Sequence, residues 1–303
     1  MATRSRPSFR IPRPNGSALV ALTVCLILGI SAAGYLKVRN YVIARFLATP
    51  VRPSVELKNQ PAWMSPYLAQ SIVNSVRPSA TSSPFDKQVL IDAYQSLSAN
   101  PWVKSVREVR RLYGKAPGDR LAIDCVYRAP AALVQHDGQY ILVADDGIVL
   151  PEQFTEDELP KVMFSPDGGQ HTQLRIIQGV SQPPAKPGSA WNSDDLSAGL
   201  KMAALLSQLP YADEIVRIDV SNMAAPAASR SPRIVLLTKN NTQIRWGLPP
   251  GNDDFTEASP TIKLAHLQQI YAQYHCLDAN QSWLDLRFDH VNYPTVQASA
   301  DYR

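Results

Sequence analysis

Cysteine is scarce here: three stand in 303 residues, at positions 25, 125 and 276, and no two form a C-x-x-C pair. A structural zinc site needs several thiolate or imidazole ligands at close spacing, so no metal is expected. Cys125 and Cys276 could be two separately buried thiols or, in an oxidising compartment, one bridge; the sequence leaves both open. A basic excess on the body is missing too. Arg4, Arg6, Arg10 and Arg13 precede residue 17 without an acid, and the remaining basic residues are balanced by 26 acidic ones. A nucleic-acid binder must neutralise phosphates with its folded part, and this chain has no surplus charge with which to do so.

Catalytic groupings are missing as well. No S-x-x-K, G-x-S-x-G, H-E-x-x-H or G-x-x-x-x-G-K occurs. The histidines at 136, 171, 266, 275 and 290 are scattered. His266 and His275 share one helical pattern but fall on opposite faces, so they cannot chelate one metal. Asp145 and Asp146 adjoin Gly147, which reads as a turn, and neighbouring strand carboxylates point to opposite faces. No enzyme activity, cofactor or small-molecule substrate is expected.

What the chain does have is one long apolar run. SALVALTVCLILGISAAGYL (17–36) carries no charge, and as a helix it would span about 30 Å, the thickness of a bilayer's hydrocarbon core. The four arginines before it favour a cytoplasmic N-terminus, although Lys37, Arg39, Arg45 and Arg52 follow it. The other reading is a signal peptide cleaved at Ala32-Ala33-Gly34, but the run is longer than a typical signal core.

Proline is frequent, 25 residues, which predicts short elements and many turns. Residues 51–58 could form a strand. Ser65-Pro66 opens a helix carrying Leu68, Ile72, Val73 and Val76, and a second helix is expected at 86–99 with Leu90, Ala93, Tyr94 and Leu97 on its apolar face. Strands follow at 103–112 and 121–127, completing a compact α+β unit. Beyond Pro130 the chain reads as a meander, with strands at 131–135, 140–144 and 148–150 joined by Asp137-Gly138 and Asp146-Gly147 turns. Loops rich in proline and glycine (165–169 and 182–188) flank a strand at 174–177. Then come a helix capped by Ser193 or Asp194, strands at 215–220, 233–238 and 243–246, and a helix opened by Ser259-Pro260. A last alternating strand at 282–289 precedes a tail expected to be loose.

Element order and phrasing resemble the FtsQ/DivIB family of bacterial division proteins. NPWVKSVREVRR (100–111) resembles the family's P-W-V-x-x-A-x-V-x-R stretch, and LAIDCVYRAP (121–130) its L-x-I-x-V-x-E-R-x-P passage. Asp146-Gly147, Trp246-Gly247, then Lys263, Leu264 and Leu267, and finally WLDLRF (283–288) resemble the later motifs. The sequence departs from the pattern at Ser105, Tyr127 and the long loop 224–232.

The resemblance implies an α+β architecture: a cytoplasmic tail (1–16), a single transmembrane helix (17–36), a POTRA-like β-α-α-β-β domain (51–128) and a mixed, mostly antiparallel β domain with two helices (129–290), followed by a flexible tail (291–303). It also implies a non-catalytic scaffold in the inner membrane at the septum, with its body outside the cytoplasm. The implied partners are FtsB/FtsL-like single-pass proteins linked to septal cell-wall synthesis, with further division proteins met through the POTRA-like unit. In the family a partner adds as a strand near the last strand. Carried over, the candidate positions are Trp283, Leu284, Asp285, Leu286, Arg287, Phe288 and Asp289. Arg287 would offer a fork to a partner carboxylate, and Trp283 and Phe288 apolar anchors; equally, Leu284 and Leu286 could be core and Arg287 a solvated charge. Trp102 and Tyr127 read as core or interdomain packing. The alternatives are a membrane-anchored envelope hydrolase, a POTRA-bearing export component, for which the repeated units or barrel strands are missing, or a secreted binding module cleaved near Gly34.

Overall fold

The computed structural model describes residues 16–47, 52–78, 81–83, 86–112, 114, 118–161, 163–164, 172–225, 231–252 and 256–294. Helix α1 (Gly16–Leu47) has 32 residues, about 48 Å at 1.5 Å per residue. It runs past position 36 because no glycine or proline interrupts the chain until Pro50. A membrane span chosen by length and apolarity runs Val20–Ala44 and takes in Lys37 and Arg39. The 17–36 stretch within it carries no charge.

Next comes a small α+β unit. Strand β1 (Ser54–Lys58) leads into α2 (Pro66–Val76) and α3 (Gln88–Ser98), then β2 (Val103–Leu112) and β3 (Arg120–Tyr127). The sheet order is β1-β3-β2, with β1 parallel and β2 antiparallel to β3. Ser65 caps α2 by accepting the Leu68 N–H at 3.1 Å, and Pro66 occupies the first helical position, where an N–H is not needed. Ala69, Ile72 and Val76 of α2 and Ala93 and Leu97 of α3 are buried. Tyr94, expected on the apolar face, points outward instead and is 52 % exposed; Ala93 and Leu97, four apart, carry that face without it.

The larger body is one eight-stranded sheet. Its strands are β4 (Pro130–His136), β5 (Gln139–Ala144), β6 (Val149–Phe154), β9 (Ile176–Gln178), β10 (Ile215–Asp219), β11 (Ile234–Thr238), β12 (Gln243–Gly247) and β13 (Trp283–Asp285). They lie in the order β13-β12-β11-β10-β9-β4-β5-β6, antiparallel except where β9 meets β4 and β10 and where β12 meets β13. A separate two-stranded ribbon, β7 (Met163–Phe164) with β8 (Thr172–Gln173), was not foreseen in the sequence. The loop 165–169 lies outside the described residues.

Helix α4 (Asp194–Leu206) packs on this sheet, and α5 (Pro260–Tyr274) adds Leu267 and Ile270 to the same core. Ser193 stands at the α4 N-cap without a side-chain bond. Asp195 instead holds the entry, accepting from the Leu196 N–H and from both the N–H and the hydroxyl of Ser181. Cys125 is buried, which pushes its thiol up to about 11, and Cys276 lies just past α5; neither is paired.

The two sheets share a core. Trp102, Val103 and Tyr127 of the small unit pack with Leu133, Tyr140 and Leu150 of the large one, in agreement with the packing expected for Trp102 and Tyr127. Polar contacts close the seam. Arg128 donates to Asp146 at 2.9 Å and to the carbonyls of Pro101 and Val103. Lys104 pairs with Asp145 at 3.3 Å. Glu152 lies beside Trp102, and burial pushes its carboxyl up.

Gly179 ends β9 with φ +83, and a Cβ there would lie 2.6 Å from the Ser221 nitrogen. Gly179→Ala is therefore expected to lower stability by about 2 kcal/mol, read as a drop in the urea midpoint of the full chain; an unchanged midpoint would show that the 221 segment yields without cost.

Candidate partner-binding margin

The sheet order leaves β13 outermost among the named strands at the end opposite β6. It is short. The alternating strand expected at 282–289 survives only as Trp283–Asp285, because Asp285 and Arg287 turn toward each other and the chain then bends away. The register with β12 pairs Gln243 with Trp283, Ile244 with Leu284 and Arg245 with Asp285. On the inner flank the Gln243 N–H donates to Ser282 and the Leu286 N–H to Arg245.

The outer flank of β13 is mostly occupied by the chain itself. Asp285 and Asn292 exchange both backbone bonds, at 2.9 and 3.1 Å, as an antiparallel bridge. The Ala258 N–H donates to the Arg287 carbonyl at 2.7 Å. In this register Pro294 falls opposite Trp283, and having no N–H it cannot extend the ladder. At the start of the tail, expected to be loose from 291, Val291 packs against the large core. Residues 295–303 lie outside the described residues. Because Asn292 spends its groups inward, the backbone groups of Val291 and Tyr293 face outward, and no hydrogen bond occupies them among the described residues.

The seven positions carried over from the resemblance separate by environment. Leu284 and Leu286 are fully buried in the core, and Asp285 is buried beside them. Arg287 does not present an open fork. Its Nε and Nη2 close on Asp285 at 3.0 and 2.7 Å, and this bond holds the guanidinium pKa above its ordinary value. Trp283 is half-buried under the Arg245 guanidinium, 4.1 Å from the ring centre. Phe288 is 44 % exposed and Asp289 is exposed. A groove between α5 and this margin is lined by His266, Gln269, Gln273, Val291 and Tyr293.

Sequence reading missed Asn292 and its neighbours, since a single bridge leaves no alternating pattern. It named Lys263 only as a motif residue and missed that its side chain is fully buried and donates to Glu257 at 2.7 Å. A signal existed for the second: Lys263 stands four residues before Leu267 and so on the inward stripe of α5.

The family model described as cell division protein FtsQ/DivIB, C-terminal, matches residues 132–287, more than half of the chain. That span begins in β4 and ends at Arg287, enclosing the whole larger sheet except the start of β4. No curated protein matches the chain.

Proposed function

Because the chain belongs to the FtsQ/DivIB family of cell-division proteins, we propose that it is a non-catalytic, one-pass scaffold of the divisome that recruits FtsB/FtsL-like partners by strand addition. Residues 17–36 anchor it in the inner membrane, the N-terminus stays in the cytoplasm, and the body stands outside at the septum. Residues 51–128 form a POTRA-like domain that meets other membrane-bound division proteins, and residues 129–290 form the partner-binding β domain, with its link to septal wall synthesis made by the bound partners.

The observation that carries this reading is the end of the long sheet, where no hydrogen bond among the described residues occupies the outward backbone groups of Val291 and Tyr293. An extended segment laid there satisfies its own N–H and C=O groups and gains specificity from alternate side chains. The bridge at Asn292 moves the docking line one segment outward from the position first expected. Trp283, Phe288 and Asp289 remain its side-chain surroundings, while Leu284, Asp285, Leu286 and Arg287 support it from within.

Tyr293→Pro tests the idea, since it deletes one outward N–H on an exposed residue. Division partners recovered with the full-length protein from solubilised membranes should fall about tenfold or more, the equivalent of about 1.4 kcal/mol, with the unfolding temperature unchanged. Equal recovery of partners by wild type and variant would remove the margin as the docking line.

A further inference from the structure

We propose that the buried Lys263–Glu257 ion pair is the positioning element of the partner margin, locking the outer face of β13 in the shape a partner strand needs; this rests on the docking reading above. Lys263 is 2 % exposed. Burial lowers the pKa of its ammonium, and Glu257 counters that effect. The Glu257 Oε2 that accepts Lys263 at 2.7 Å also accepts the Leu248 N–H at 2.9 Å. Gly247, at φ +94, lets this oxygen approach: a Cβ there would lie 2.0 Å from it. Lys263 also stands over the Trp246 ring, 5.4 Å from its centre.

A methionine or leucine would fill this position on the core stripe with no charge to desolvate, and buried ion pairs are often no better for stability than such replacements. The pair therefore calls for a role other than holding the core together. Its geometry supplies one. Glu257 precedes Ala258, whose N–H closes on the Arg287 carbonyl; Arg287 closes on Asp285; and Asp285 bridges to Asn292. One continuous path runs from Lys263 to the outward-facing segment. Arg287 and Asp285 also act on the Lys263 charge, more weakly than Glu257 does.

The test is hydrogen exchange, followed by mass spectrometry, on the full-length chain in detergent micelles. It compares wild type with E257Q/K263M, a pair that leaves an acceptor for Leu248 and no unpaired charge. Peptides covering 283–294 should exchange about tenfold faster or more, while those covering β9, β10 and β11 keep their protection. Partner recovery should fall with the same variant although the unfolding temperature is kept. Should the double variant not fold, Ala258→Pro removes only the N–H that meets Arg287 and should loosen the same peptides.

Unchanged exchange at 283–294 would overturn the proposal, as would an increase spread evenly over the sheet, which marks an ordinary core defect. Exchange needs no partner. A wild-type chain that recovers no division protein would thus defeat the docking reading by itself, and the exchange result would still decide whether the ion pair holds the margin.

Discussion

Arg128→Ala should loosen the small α+β unit from the long sheet while each keeps its own strands. The side chain is 15 % exposed and makes its bond to Asp146 together with bonds to two carbonyls of the 101–103 turn. Removing it leaves Asp146 and both carbonyls short of a partner at a seam whose other ion pair, Lys104–Asp145, is exposed. Bonds to charged groups contribute about 1.5–3 kcal/mol, and the groups left behind add their desolvation, so a loss of about 3 kcal/mol is expected. Urea unfolding of the full chain measures it. Chymotrypsin cleavage after Tyr127 should accelerate well before global unfolding. A single transition with an unchanged midpoint and no new cleavage would mean that the shared apolar core alone fixes the junction.

Leu284→Ala should cost about 3 kcal/mol, within the usual range for a buried leucine truncated to alanine, whereas Phe288→Ala should leave stability within about 0.5 kcal/mol. The two residues stand four apart in one motif, yet Leu284 is fully buried and Phe288 is 44 % exposed. Partner recovery separates them the other way. Phe288→Ala should reduce it with the fold intact, since an exposed aromatic beside a docking strand serves as an anchor. If both variants lose stability equally, the end of the chain after Leu286 belongs to the core and the margin must be sought elsewhere.

Elements with strong local signals were legible in the sequence. Ser65-Pro66 and Ser259-Pro260 mark helix starts by their capping chemistry, and both serines accept a backbone N–H as expected. Asp137-Gly138 has positive φ at both residues and closes the β4–β5 hairpin. The alternation at 103–112 gave β2 its observed bounds. What could not be read was set by contacts distant along the chain. Tyr94 suits an apolar face by spacing but is not needed there. Arg287 suits a partner's carboxylate by chemistry, but Asp285, two residues away, already takes its fork. The Asn292 bridge is a single pair, and its register is dictated by β13 and halted by Pro294, with no local pattern to announce it. Lys263 was visible as a motif residue, yet its partner Glu257 lies on the far side of the Ser259-Pro260 corner, where helical spacing no longer applies.

The strand order of the larger sheet also sets a reach. Between β6, on the side that meets the small unit, and β13 there are seven strand-to-strand steps, about 34 Å at 4.8 Å per step. On the docking reading proposed above, a partner anchored in the same bilayer that spans from β6 to the far end needs about 23 residues as a helix or about 10 fully extended to cover that length.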